Sequence, residues 1–134
     1  MVFGTFDILH PGHLSFFRQA KQYGDYLIIV VAHDQTVKQV KGRWPLNNQL
    51  ARIEKIFRRQ IVDQIIAGQP GNKFAVILEH QPAVICLGYD QQYFVPELLS
   101  WIKKNNMKII IKRAQPYQPA KYKSSRLRKS KPQL

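Results

Sequence analysis

The sequence predicts an α/β protein of the Rossmann-like, doubly wound kind: a parallel five-stranded sheet with helices on both faces. Three observations predict it. Apolar runs of strand length alternate with amphipathic stretches of helical period along most of the chain. The run YLIIVVA at 26–32 is apolar without alternation, as for a parallel strand covered on both faces. Glycine and polar residues collect where the strands should end, in GTFD, AHD, AG, GYD and KR. Folds of this kind place their ligand at the carboxyl ends of the strands.

Each element has its own signal. Residues 1–4 read as a short first strand. GHLSFFRQAKQYG (12–24) carries Leu14, Phe16, Phe17 and Ala20 at helical spacing, with Gly24 as a stop. DYLIIVVAH (25–33) is the second strand, and Asp34 is placed to cap a short helical turn. Gly42 and Pro45 mark 38–48 as a loop. QLARIEKIFRRQ (49–60) is an amphipathic helix with Leu50, Ile53, Ile56 and Phe57 on one face. A strand over 62–68, a QPGN turn, a helix over 73–81 stopped by Pro82, and a strand over 83–90 follow. PELLSWIKKNN (96–106) begins with a proline suited to a first helical turn, and 108–113 is the last strand. Residues 1–113 thus form the α/β domain. Residues 114–134 are a proline-broken, basic segment that completes the site, with a short helix starting near SSRLRKS.

The 134 residues suit one domain with a real core, and no apolar run approaches the roughly 18–20 residues that span a bilayer. No secretory leader pattern is present at the start, and Cys86 stands alone in an apolar run, which predicts a buried, inert thiol. A cytoplasmic protein is expected. The charge is strongly basic: 21 Lys and Arg against 8 Asp and Glu, net +13. Half of that basic set (11 residues) follows Glu97, and no acidic residue does. Such a balance favours polyanionic partners, either phosphorylated small molecules or nucleic acid.

The densest chemistry lies in GTFDILHPGH (4–13). His10 falls in the loop after the first strand and His13 in the first helical turn. Gly12 lets an anion approach the backbone, and a helix N-terminus offers N–H groups and a positive dipole end to phosphate. Two imidazoles there add donors for a phosphoryl group whose charge shifts in a transition state. Taken singly, His10 reads as a helix cap and His13 as a solvent-exposed residue; as a pair around glycine they read as a phosphate site. Metal ligation ranks third, since no cysteine or third histidine lies nearby.

With these residues the chain resembles the cytidylyltransferase-like nucleotidyltransferases, in the branch of the glycerol-3-phosphate cytidylyltransferases and archaeal FAD synthases, whose signature is HxGH. The resemblance continues through AKQYGDYLIIVVAHD, VKGRWP, ARIEKIFRRQIVD, ICLGYDQ and KSSR, and so covers nearly the whole chain. It implies attack of a phosphate monoester on the α-phosphorus of a nucleoside triphosphate, with release of pyrophosphate and no covalent enzyme intermediate. By position, His10, His13 and Lys41 would be catalytic. Thr5, Phe6, Asp7, Gly12, Arg52, Asp90, Ser124 and Ser125 would bind the nucleotide. Arg43 and Arg113 would bind the acceptor. Lys41 and Arg43 would sit on a flexible loop, and Ser124 and Ser125 would match the family's ISSS/ISTT segment. Mg²⁺ or another divalent ion would bridge the phosphates, with no protein metal ligands assigned, and a homodimer is admitted.

Each of these residues also has a plainer reading: Lys41 and Arg43 as solvated charges, Arg52 as a surface residue on the polar side of its helix, Asp90 and the serines as caps. Phe16, Phe17 and Trp101 read as core packing. Lys123 stands where the family often has isoleucine, and Gln91 where the cytidylyltransferases often have tryptophan. NNQL before Arg52 lacks the acidic residues expected there. KGRWP, GYDQ and YKSS lean toward FMN and ATP as substrates. CTP with glycerol phosphate or another polyol phosphate is the alternative within the class. A non-catalytic nucleic-acid-binding protein is the alternative outside it, although no RNA-binding aromatic platform is readable.

Overall fold

The computed structural model describes residues 1–117. Strands and helices follow in the order β1 (Val2–Gly4), α1 (Pro11–Lys21), β2 (Ile28–Val31), α2 (Asp34–Lys41), α3 (Gln49–Phe57), β3 (Gln64–Ala67), α4 (Ala75–His80), β4 (Val84–Leu87), α5 (Val95–Lys104) and β5 (Ile110–Arg113). Every strand pair is parallel. Phe3 pairs with Val30 and Ile29 with Ile65, while Ile85 pairs with Ile111.

The α/β class and the parallel strands agree with expectation; the single five-stranded sheet does not. The strands form a three-stranded sheet in the order β1-β2-β3 and a two-stranded sheet of β4 and β5. The physical reason is the shortness of β1, which leaves Met1 alone to reach β4. Its amine donates to the Val84 carbonyl (2.9 Å) and its carbonyl accepts from the Cys86 N–H (3.0 Å).

The unbroken apolarity of β2 follows from two cores. Ile29 and Val31 pack with Val2, Phe17, Ala20 and Ile56, whereas Ile28 and Val30 pack with Ile77, Ile85, Leu87 and Leu98. Thus α1 and α3 cover one side and α4 and α5 the other. Ile29, Ile56, Ile77, Ile85 and Leu98 are fully buried, each stabilising the fold by about 1.5–3 kcal/mol. Cys86 is buried, as its apolar context predicts.

Two helices depart from expectation. The loop expected over 38–48 starts only at Gly42, because α2 continues to Lys41 and is capped by His33 rather than Asp34. The His33 Nδ1 accepts the Gln35 N–H (3.1 Å). Gly42 ends the helix at φ 76°, a left-handed conformation that costs glycine little. In α3 the predicted apolar stripe is only half buried. Ile56 lies inside and Ile53 partly so, but Leu50 and Phe57 are 74% and 70% exposed. The inward place belongs to Arg52, which is 0% exposed. The surface position expected for it is thereby corrected. At the end of the described chain, Ala114 is buried and its N–H donates to Leu87 (2.8 Å).

Candidate active site

The site is built on the turn that leaves β1. Gly4 is required there, because a Cβ at this position would lie 2.4 Å from the Phe6 Cζ. Phe6 takes φ 55°, unusual for a side chain of its size, and is buried. Its ring meets His13 edge-on at 5.5 Å and Phe17 at 5.1 Å between centroids. The turn is thus braced between the first strand and the first helix.

Asp7, next in the chain, turns inward and is 2% exposed. Its Oδ2 accepts the Leu46 N–H (2.8 Å) and its Oδ1 the Asn47 N–H (2.9 Å). Arg52 stands behind it. Its Nε donates to Asn47 O (2.9 Å), one terminal nitrogen to Thr5 O (2.8 Å) and the other to Asp34 Oδ1 (2.6 Å). These bonds explain why an arginine displaces leucine from the inner face of α3: no apolar side chain could satisfy those carbonyls.

The histidines face the other way. The His10 Nδ1 accepts the Gly12 N–H (3.1 Å), and the His13 Nδ1 accepts the His10 N–H (3.3 Å), so the pair closes a capping box on α1. The rings stack with centroids 3.9 Å apart. The capping reading of His10 therefore holds together with a place at the site, whereas His13 is not solvent-exposed. Gly12, which lines the cavity, also has a packing use. A Cβ there would lie 2.8 Å from the His10 Cε1, so glycine makes room for the imidazole. The first-turn N–H groups offered to phosphate are also taken: Gly12 donates to His10 Nδ1, and His13 to His10 O (2.9 Å).

With Nδ1 accepting from Gly12, the proton of the neutral His10 imidazole sits on Nε2. Burial lowers the pKa of His10. Burial, His10 and Lys41, opposed by the Ile8 carbonyl, lower that of His13 to about 3. At neutral pH the pair is uncharged and can donate hydrogen bonds without a counter-ion.

A cavity of about 300 Å³ opens between the carboxyl ends of β1 and β4. Thr5, Phe6, Asp7, His10, Gly12 and His13 line one side, Lys41 adds a cation from the end of α2, and Gly88 to Gln91 form the opposite wall with Asp90. Phe3, Phe16, Tyr89, Tyr93 and Tyr117 contribute rings. Lys41 is a helix-end residue rather than one on a flexible loop. Arg43, Arg52 and Arg113 do not line the cavity. Arg43 is exposed in the loop after α2. Arg113 holds the wall that carries Asp90, donating to Gly88 O (2.8 Å) and Gln91 O (2.9 Å). Ser124 and Ser125 lie outside the described residues.

Some contributors escape sequence reasoning. Gln91 ties the two sheets at the cavity floor: its Oε1 accepts the Gly88 N–H (3.0 Å) and its Nε2 donates to Phe3 O (2.9 Å). Tyr89 and Tyr93 could have been found from the aromatic cluster in GYDQQYF; nothing in the sequence marks Asn47. Among the described residues, no three His, Cys, Asp or Glu side chains come together to hold a metal ion. Asp7 is already committed to backbone N–H groups, so the donor set does not fit a resident metal. Among the same residues, no helix is long and apolar enough to cross a membrane.

The chain matches the cytidylyltransferase-like family over residues 1–132. It is 40% identical to an FAD synthase of Thermococcus sibiricus, over 96% of this chain and 84% of that one. It is 39% identical to an FAD synthase of Pyrococcus abyssi, over 98% and 86%. A crystal structure of a lipopolysaccharide core biosynthesis protein from Thermoplasma volcanium superposes with a TM-score of 0.81 at 36% identity, over 88% of this chain and 96% of that one. With its HxGH histidines brought together at the mouth of the first helix and this match along nearly its full length, the chain belongs to the cytidylyltransferase-like family of nucleotidyltransferases.

Proposed function

We propose that the protein is an FMN adenylyltransferase, joining FMN and ATP to form FAD. A phosphate oxygen of FMN attacks the α-phosphorus of ATP, the bond from that phosphorus to the bridging oxygen of the β-phosphate breaks, and pyrophosphate leaves. Catalysis is then placement and charge stabilisation. In this reading the His10 and His13 rings donate to the α-phosphate oxygens as they gain charge. Lys41 pairs with phosphates of the leaving group, and Asp90 accepts from the adenine amino group. Thr5, Phe6 and Gly12 shape the mouth, Arg43 reaches acceptor phosphate, and Ser124 and Ser125 keep the triphosphate role that the family pattern implies. Asp7, Arg52 and Arg113 act as positioning residues. A divalent ion such as Mg²⁺ enters with the triphosphate, as part of the substrate, and offsets its charge.

We read the two sheets as one doubly wound layer, β3-β2-β1-β4-β5, seamed at Met1. That order puts the cavity at the switch point where such folds take their ligand. The observation that carries the proposal is the stacked, neutral histidine pair at the wall of an aromatic-lined cavity. Aromatic walls suit two planar rings, flavin and adenine, and give glycerol phosphate nothing to stack on. The test is incubation with each nucleoside triphosphate, Mg²⁺, and either FMN or glycerol 3-phosphate. Pyrophosphate release and chromatographic product are measured. FAD from FMN and ATP is expected; a product formed solely from CTP and glycerol 3-phosphate overturns the reading.

A further inference from the structure

A second, smaller cavity lies beside the first, over the ends of β1, β2 and β3. Phe3, Gly4 and Tyr93 stand in the walls of both. Its closed part holds about 40 Å³, space for the leading edge of a ring or a few waters. Its inner walls are apolar, from Val30, Ala32, Phe74 and Phe94.

Its rim is polar, and its side chains fall into two groups. Lys73 is committed to Glu97 (3.2 Å), as Gln49 is to Val31 O and Gly68 O (both 3.0 Å) and Gln91 to Phe3 and Gly88 nearby. Around the second cavity, the side chains of Thr36 and Gln69 make no hydrogen bond among the described residues. His33 uses its Nδ1 for the Gln35 N–H. That leaves its Nε2–H directed at no other described residue. Uncommitted donors and acceptors around an apolar slot that shares Phe3, Gly4 and Tyr93 with the main cavity suit a subsite for the part of a substrate that does not react.

We infer that this cavity takes the pyrimidine edge of the flavin ring of FMN, with Gln69, Thr36 and His33 as its readers; the inference rests on the FMN adenylyltransferase reading. The flavin edge presents an imide, acceptor–donor–acceptor. A glutamine amide is its complement, offering a carbonyl to the imide N–H and an N–H to a ring carbonyl. The His33 Nε2–H and the Thr36 hydroxyl serve the remaining oxygen. Phe74 and Phe94, with centroids 6.4 Å apart, supply the apolar contact, and the rest of the tricycle lies along the open mouth. Adenine stays in the first cavity beside Asp90. Specificity for a flavin over a polyol then comes from Gln69 and Thr36, which touch neither the triphosphate nor the histidines.

The experiment uses the full chain and the variants Gln69→Leu and Thr36→Val, each checked for folding by circular dichroism. The KM values for FMN and ATP are measured, and lumichrome, the tricycle without its phosphate-bearing chain, is titrated by fluorescence quenching. Each variant is expected to raise the KM for FMN about tenfold, with that for ATP unchanged, and to weaken lumichrome binding similarly. Failure of the wild type to make FAD would overturn the parent function, while selective loss of lumichrome in the variants would still support a tricycle subsite. An unchanged KM for FMN in both variants overturns the inference. So does a raised KM for ATP instead, or lumichrome that does not bind or binds wild type and variants equally.

Discussion

Asp7 and His10 stand three residues apart in one motif, yet they serve opposite sides of the same turn. Asp7 faces inward, where its carboxylate accepts two loop N–H groups and Arg52 closes the network to Thr5, Asn47 and Asp34. His10 and His13 face the cavity and stack on each other. The inner group fixes where the backbone runs; the outer group presents donors from the backbone so fixed. Residue type does not separate the two roles, since each group holds residues that could bind a phosphorylated ligand. The number and kind of internal partners does: Arg52 has three, and none is a substrate.

The contrast predicts different kinds of damage. Arg52→Ala should cost the most, about 2–4 kcal/mol of stability, since it leaves two part-buried carbonyls and Asp34 without their partner. Urea denaturation measures it, and a loss below about 1 kcal/mol would erase the distinction between the two groups. His10→Asn keeps a capping side chain, so stability should change by less than about 1 kcal/mol. Its kcat should nevertheless fall roughly 10²–10³-fold, as should that of His13→Ala. Stopped-flow assays with FMN and ATP read this, and near wild-type rates in both variants would remove the histidines from the chemistry.

The third prediction concerns pH. The folded pKa of His13 lies at about 3, below its ordinary 6.5, so between those values the unfolded chain binds the extra proton. Stability should therefore be fully present above about pH 6.5 and decline as the pH falls toward 3. His13→Gln should flatten that slope in urea titrations across the window; an unchanged slope would mean that the ring is not held neutral by its surroundings. The smallest effect distinguishes two lysines on one helix. Lys41 lines the cavity, whereas Lys38 donates to Gly42 O (3.0 Å). Lys41→Ala should lower kcat/KM about tenfold, and Lys38→Ala by much less. Equal losses would reduce both to general positive charge.

Much of this was readable in the sequence, for physical reasons. Strands buried on both sides leave unbroken apolar runs, so β2 and β4 announce themselves. The histidine pair was readable because its spacing, glycine and helix start are all local. What was not readable depends on contacts distant in sequence. α2 has one buried apolar residue, Val37, too few for a period, although Gly42 marks its end. The inner face of α3 was misread because Leu50 and Phe57 fit the helical spacing as well as any core residue. The preference for Arg52 comes from carbonyls and a carboxylate 5, 18 and 47 positions away. The division into two sheets likewise depends on how far a three-residue strand can reach.

The main cavity straddles the line where the two sheets meet. β1 forms one bank and the chain after β4 the other, with Gln91 as a bridge and Met1 as a hinge-pin at the far end. A ligand that fills this cavity would work as a rivet, because the lining comes from both plates. Occupancy and cohesion are then coupled: the sheets hold the ligand, and the ligand holds the sheets. At a concentration one hundred times its dissociation constant, such a rivet adds about 2.7 kcal/mol to the folded state, which is on the scale of a fully buried core residue.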